Sequence, residues 1–191
     1  MTIKKKITCE MIAERFAGVM GAYRVEWDER KEDWIPIESI TKECMRTGPF
    51  SQADGFNLPL IDPRYVEIFP DAIENIINLD SAISKTRVRE PMMVYRGAKL
   101  EEFRGIETGK DVVYISPAFT STTVSCEIAM KHAELTGSSL VGIRVPGGDG
   151  IGVFSEDHEN MEFVLKRHAI LKLIRYDPDS EGIKAIFEFI G

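Results

Sequence analysis

The sequence has no long apolar run and few cysteines, and these two absences exclude several classes of protein. No stretch of the 191 residues approaches the roughly 18 apolar residues that a membrane-spanning helix needs. The basic start, Met1–Lys6, lacks the apolar segment of a secretory signal, so we expect a cytoplasmic protein with no signal peptide and no membrane partner. Cys9, Cys44 and Cys126 are odd in number and widely spaced, which fits neither a disulfide framework nor a zinc-binding CxxC pair.

An excess of positive charge is also missing. The chain carries 24 Lys and Arg against 31 Asp and Glu, a net charge of -7. A general nucleic-acid binder needs cations to displace the counterions of the phosphates, so this balance argues against that class. The histidines His132, His158 and His168 have no metal-ligand spacing to one another or to the cysteines, and we predict no metal.

The first part of the chain, residues 1–88, is predicted to be mainly helical. Thr8 is a candidate N-cap for a helix that runs to Met20, because apolar residues recur there three and four positions apart. A second helix is predicted to begin after Pro70. No repeat, low-complexity tract or linker rich in Pro, Gly or Ser divides the chain, so we predict one domain over residues 1–191.

The second part, residues 89–191, is predicted to be mainly β. One helix interrupts it at about 126–134, with Ser125 as the candidate N-cap. The strand-like runs are 92–95, 112–115, 119–123, 140–145, 163–165, 169–176 and 183–190. Helices followed by short strands predict an α+β domain, with two packed, mainly antiparallel β-sheets and N-terminal helices.

Three short strings place polar side chains directly beside apolar, strand-like residues. They are Met93–Gly97, Pro117–Thr123 and Asn160–Leu165. Each has a structural alternative: an arginine in a surface ion pair, an edge strand rich in hydroxyls, and a solvated strand end. The functional interpretation is that an arginine, a serine and a glutamate from three strands meet in one pocket.

The order and spacing of these strings resemble a known family. Tyr95-Arg96-Gly97, then Phe119–Thr123, then a glutamate that enters a strand, Glu162, is similar to the arginine–serine–glutamate class of mono-ADP-ribosyltransferases. The resemblance covers about residues 72–190. It implies that the two sheets form an NAD cleft, that NAD is the co-substrate, and that ADP-ribose passes to a macromolecular acceptor. A protein acceptor is expected rather than a nucleic acid, given the acidic charge.

The resemblance also implies a role for each residue of the motifs. Arg96 would bind the NAD phosphates, and the Gly97 backbone would hydrogen-bond the nicotinamide carboxamide. Ser121 would orient Glu162, the catalytic carboxylate. The remaining NAD-binding residues would be Tyr95 and Phe119 in the cleft wall and Thr122 and Thr123 in its floor.

The chain departs from the family pattern two residues before the catalytic position. Arginine-modifying members carry glutamate there and asparagine-modifying members usually carry glutamine, whereas this chain has Asn160. An amide accepts hydrogen bonds but cannot take a proton from an acceptor. We therefore expect Asn160 to contribute to acceptor recognition and Glu159 to be a candidate base, with residues 156–158 as further candidates. In the glycine-rich segment 146–154, Phe154 is predicted to contact the acceptor, against the alternative of a plain hairpin connection.

Two other functions fit the same motifs. Water replaces the acceptor in an NAD glycohydrolase, and Asn160 keeps that alternative open. An inactive NAD-binding module would keep the fold without catalysis. The presence together of Arg96, Ser121 and Glu162 argues against the inactive module.

Overall fold

The structure is a computed structural model that describes residues 24–28, 33–36, 57, 60–61, 72–109, 112–154 and 161–191. The helices are α1 (Ala72–Ser84) and α2 (Cys126–Thr136), with short 3₁₀ turns at Leu100–Glu102 and Ile106–Thr108. The strands are β1 (Arg24–Asp28), β2 (Asp33–Pro36), β3 (Arg87–Val88), β4 (Met92–Ala98), β5 (Val113–Ile115), β6 (Thr120–Thr123), β7 (Ser139–Val145), β8 (Gly148–Asp149), β9 (Gly152–Phe154), β10 (Glu162–Leu165), β11 (Ile170–Tyr176) and β12 (Ala185–Phe189).

The strands form an α+β fold with mainly antiparallel sheets, as the sequence predicted. Eight of them hydrogen-bond in the order β5-β11-β12-β7-β4-β6-β10-β9, and β1-β2 and β3-β8 form two-stranded sheets. Only β12 and β7 pair in parallel among the described strands. The predicted strand runs therefore correspond to observed strands, whereas β3, β8 and β9 are short additions that no sequence pattern indicated.

The eight-stranded sheet has a narrow joint between β4 and β6. Strand β4 pairs with β7 along its whole length, from Met92 to Ala98. With β6 it shares a single residue pair, Tyr95 and Thr123. The strands β5-β11-β12-β7-β4 and the strands β6-β10-β9 therefore diverge from this joint, which corresponds to the two sheets expected from the sequence.

Helix α1 packs one face on the core. Ile76, Leu79 and Ile83 are buried at three- and four-residue spacing, the period of a helix with one apolar face. Asp80 lies beside this face and accepts from Arg167, with Nη2 at 2.6 Å and Nε at 2.7 Å from Oδ2. Since Arg167 follows β10, this ion pair fixes α1 to the strand that begins with the predicted catalytic glutamate.

Helix α2 begins and ends with recognisable caps. The Ser125 hydroxyl accepts the Ile128 N–H at 3.3 Å, which confirms the predicted N-cap. The helix ends at Gly137, whose φ of 62° lies in the left-handed region that glycine adopts without strain. Ala129 and Ala133 are the buried residues of α2, and their small side chains let the helix approach β4 closely.

Much of the first part of the chain cannot be compared with its prediction. The helix expected from Thr8 to Met20 lies outside the described residues. Strands β1 and β2 form an antiparallel hairpin within the part predicted to be mainly helical, and no helix was predicted at Ile35-Pro36. Within the described ranges, no helix has both the length and the apolar character needed to cross a membrane.

Gly152 lets β9 approach β10. A Cβ at this position would lie 2.5 Å from the Val164 carbonyl oxygen and 2.7 Å from ring carbons of Phe163. The Gly152 carbonyl also accepts the buried Thr86 hydroxyl at 2.6 Å. We expect Gly152→Ala to lower the free energy of unfolding by about 1–3 kcal/mol, because a well-packed core resists added volume. Equilibrium denaturation in urea measures this loss.

Gly182→Ala is the matched control. The one atom within 4 Å of its added methyl is the Ser180 Oγ, at 4.0 Å. Exposed substitutions of this kind change stability by less than about 0.5 kcal/mol. Equal losses in the two variants would show that the close contact of Gly152 is not the cause.

Candidate active site

A cavity of about 690 Å³ lies at the joint between β4 and β6. Its size is within the range of small-molecule sites, roughly 300–1,000 Å³. Six residues that the sequence predicted as NAD ligands line it: Tyr95, Arg96, Gly97, Phe119, Ser121 and Thr123. The structure therefore brings the arginine motif and the serine motif to one surface.

The predicted catalytic glutamate lies directly behind this surface. Glu162 begins β10 and its side chain is fully buried, with 0% of its area exposed. Strand β10 pairs with β6, so that Glu162 stands opposite Thr123 and Val164 opposite Ser121. The Ser121 hydroxyl donates a hydrogen bond to Oε1 of Glu162. A cavity-lining hydroxyl thus holds the buried carboxylate.

The backbone just before Glu162 is strained. Met161 has a φ of 46°, in the left-handed region that side chains other than glycine rarely adopt. Its carbonyl accepts the Val124 N–H at 3.2 Å, which ties it to the residue after β6. Backbone strain of this kind is concentrated at functional sites, where the surrounding structure holds it in place.

Arg96 lies in the cavity wall with 23% of its side chain exposed. Its Nη2 forms an ion pair with Oε2 of Glu102 at 3.3 Å. A guanidinium carries five N–H donors in a planar fork, so this contact leaves donors for a further ligand. Planar, paired donors of this type suit a phosphate.

The two threonines after Ser121 have different positions. Thr123 lines the cavity, and its Oγ1 accepts the Ser125 N–H at 3.1 Å, which connects β6 to the start of α2. Thr122 is buried and is not part of the cavity wall; its hydroxyl donates to the Phe163 carbonyl. Thr122 therefore holds β6 against β10 instead of forming the floor.

Tyr95 is half-buried in the cavity wall, opposite Thr123 across the joint. Burial raises the pKa of its hydroxyl, and the nearby Cys126 raises that pKa further. The sign favours the neutral form, because a phenol normally titrates near pH 10. At neutral pH the Tyr95 hydroxyl therefore keeps its proton and remains a hydrogen-bond donor.

One wall of the cavity was not predicted. Ile128, Lys131, His132 and Leu135 line it from α2. Their spacing of three, four and seven residues marks one helical face, but a single sequence cannot tell whether such a face covers a core or a cavity. Asn57 also contributes, and its Nδ2 donates to the Phe119 carbonyl at 3.3 Å.

The predicted acceptor residues are not assembled at the cavity. Phe154 lies in the hydrophobic core on β9 with 1% of its area exposed, because it stands opposite Phe163 in the pairing of β9 with β10. This burial does not fit the surface contact with an acceptor that we expected of Phe154. Glu159, Asn160 and residues 156–158 lie outside the described residues.

The donor set suits a dinucleotide. A guanidinium, hydroxyls and aromatic walls meet around one cavity, as a phosphate, ribose and ring ligand requires. Within the described ranges, no three His, Cys, Asp or Glu side chains are grouped so that they could hold a metal ion.

Comparison with known proteins identifies the family. Residues 50–178 match the model of the ADP-ribosyltransferase exoenzyme family. No curated protein matches the chain at a significant level. The match spans more than half of the sequence and includes every motif residue, so the chain belongs to the ADP-ribosyltransferase exoenzyme family. It is an NAD-dependent mono-ADP-ribosyltransferase of the arginine–serine–glutamate class, and its co-substrate is NAD.

Solved structures share the fold. C3stau2 from S. aureus, solved with NAD, is 14% identical over 97% of this chain and 98% of its own, with a TM-score of 0.67. A C3-like ADP-ribosyltransferase from Clostridium botulinum is 12% identical over 98% of both chains, with a TM-score of 0.63. The Vis toxin from Vibrio splendidus, solved with agmatine, is 16% identical over 98% of this chain and 88% of its own, with a TM-score of 0.63.

Gly97 sets the distance between β4 and the cavity wall on α2. A Cβ there would lie 3.0 Å from Cα of Ala133 and 3.2 Å from Nδ1 of His132. We expect Gly97→Ala to raise the KM for NAD about tenfold, because α2 must shift to admit the methyl group and the shift changes the cavity. Steady-state kinetics of NAD consumption measure this KM.

Gly142→Ala controls for the loss of a glycine in the same sheet. Gly142 pairs with Tyr95 from β7, and its added methyl would lie 3.4 Å from the flexible Met93 Sδ. Its KM should stay near that of the wild type. If both variants raise the KM equally, α2 does not set the cavity.

Proposed function

We propose that Glu162, Ser121 and Arg96 form the catalytic group of this transferase, which cleaves NAD at the nicotinamide–ribose bond. The supporting observation is the hydrogen bond from Ser121 to the buried Glu162, made behind a cavity whose wall also contains Arg96. The transfer passes ADP-ribose to a macromolecular acceptor, which we propose to be a protein side chain. The reaction takes place in a cytoplasm, that of the producing, infected or target cell.

The carboxylate stabilises the charge that develops on the sugar. Breaking the bond to nicotinamide makes the ribose resemble an oxocarbenium ion, as in glycoside hydrolysis. A fixed negative charge in a site without water favours this transition state over the ground state. Glu162 meets both conditions, since it is fully buried and Ser121 fixes one of its oxygens. Nicotinamide leaves as a neutral molecule, so its departure requires no general acid.

The other motif residues bind the dinucleotide. Arg96 binds a phosphate through the donors that Glu102 does not engage. The Gly97 backbone takes the nicotinamide carboxamide, since a glycine leaves room for a ligand beside the strand. Tyr95 and Phe119 supply the walls on either side of the joint.

The acceptor is assigned from charge and from the residue before the catalytic strand. A net charge of -7 disfavours the repeated phosphate contacts that a nucleic-acid acceptor requires. Asn160 can bind an acceptor side chain but cannot remove its proton, so we assign the base to Glu159. Vis binds agmatine, a guanidino amine, and this compound is therefore a suitable small probe for an arginine-like acceptor.

Replacing the carboxylate with an amide tests the catalytic assignment. We expect Glu162→Gln to lower kcat by at least about 100-fold, roughly 3 kcal/mol, the size of one preorganised electrostatic contact. NAD should still bind, because the amide keeps the size of the side chain. Release of labelled nicotinamide measures kcat, and titration calorimetry measures binding.

Glu188→Gln is the matched control, since Glu188 is an exposed strand glutamate outside the cavity wall. Its kcat should equal that of the wild type. A Glu162→Gln chain that retains full turnover would remove Glu162 from the catalytic role.

Labelled NAD identifies the acceptor class. We expect radiolabel from the adenylate part of NAD to enter fractionated cell lysate in material that protease destroys and nuclease leaves intact, because the acceptor is a protein. The Glu162→Gln chain provides the background. Nuclease-sensitive label would overturn the protein assignment, and nicotinamide release without any label transfer would favour an NAD glycohydrolase.

A further inference from the structure

We propose that Glu102 is a positioning residue that holds the guanidinium of Arg96 in the orientation needed to bind a phosphate of NAD. This inference rests on the proposed role of Arg96 in the NAD site. The observation is the ion pair between Arg96 Nη2 and Glu102 Oε2, at 3.3 Å, on the border of the cavity. No motif of the sequence pointed to Glu102.

Glu102 is itself fixed by the backbone. It is the last residue of the 3₁₀ turn Leu100–Glu102, which follows β4 immediately after Lys99. Its Oε1 accepts the Lys99 N–H at 3.3 Å, and its own N–H donates to the Lys99 carbonyl at 3.0 Å. The two carboxylate oxygens therefore have different roles, since one closes the turn and the other engages Arg96.

The next residue anchors the turn in the core. Phe103 is 2% exposed. Its ring lies 4.6 Å from that of Phe187 on β12 and meets the Tyr114 ring on β5 edge to face at 4.9 Å. Because Phe103 is held by two other strands, the carboxylate of Glu102 has a defined position relative to the sheet.

This geometry favours a brace over a competitor for the phosphate. Arginine has many rotamers in solution, and a ligand that binds it must order them. An acceptor on one edge of the guanidinium orders the side chain in advance and leaves the other N–H donors available. A competing carboxylate would have to move away when phosphate binds, whereas Glu102 is held in place by Lys99 and Phe103.

The affinity for NAD tests the brace. We expect Glu102→Ala to weaken the Kd for NAD roughly fivefold, the upper range for a partly exposed ion pair. Saturating NAD should restore the wild-type kcat, because the carboxylate of Glu162 is untouched. Glu102→Gln keeps an oxygen that can accept from Arg96, so its Kd should lie between those of wild type and Glu102→Ala. Titration calorimetry measures each Kd, and thermal melting checks that each variant folds.

Glu101→Ala is the matched control. Glu101 is exposed in the same 3₁₀ turn, so its removal changes the net charge identically without touching the pair with Arg96. Its Kd should stay at the wild-type value. An equal loss in both variants would reveal a general charge effect and overturn the proposal, as would a Glu102→Ala chain that binds NAD as well as or better than wild type.

A double-mutant cycle tests whether Glu102 acts through Arg96. In the Arg96→Ala background, Glu102→Ala should cause no further weakening, since coupled residues lose their effect when the partner is absent. A loss that persists there would overturn the brace. The proposed function fails separately: a wild-type chain that does not bind NAD, or an Arg96→Ala chain that binds it normally, would overturn the assigned NAD site as well as the brace.

Discussion

A fully buried carboxylate held by a serine hydroxyl is the interaction on which the site depends. A charged group taken out of water is costly unless hydrogen bonds compensate for it. Glu162 gains such a bond from Ser121, across the pairing of β10 with β6. Because that pairing fixes both residues, the carboxylate can face a developing positive charge without rearranging during the reaction.

The joint in the sheet explains why this carboxylate is next to a cavity. Strands β4 and β6 share only the pair of Tyr95 and Thr123, and the space that opens beside this pair is lined by both motifs. Helix α2 closes one side, and Gly97 lets it approach β4 without a side chain between them. The arginine and the serine therefore serve one cavity although 25 positions separate them in the sequence.

The elements that form this frame follow from local rules. The apolar spacing of Ile76, Leu79 and Ile83 indicates helix α1, and Ser125 marks the start of α2. Both follow from interactions within a few residues of the chain. The two motif strands β4 and β6 were likewise predictable, since β-prone runs there are bounded by turn-forming residues.

Other features arise from contacts that no local pattern records. Phe154 looked like an exposed aromatic at the end of a glycine-rich segment, but pairing with β10 buries it. The cavity-facing side of α2 has the same spacing as a core-facing side. The pair of Glu102 with Arg96 depends on a turn that Phe103 anchors to distant strands.

The sequence by itself determined the class of fold, the family motifs in their order, and the identity of the three polar residues. These depend on residue type and on spacing along the chain. Only the tertiary structure decided which hydroxyl holds Glu162, which helix face lines the cavity, and which carboxylate braces Arg96. Those contacts join residues far apart in sequence, and strand register sets their distances.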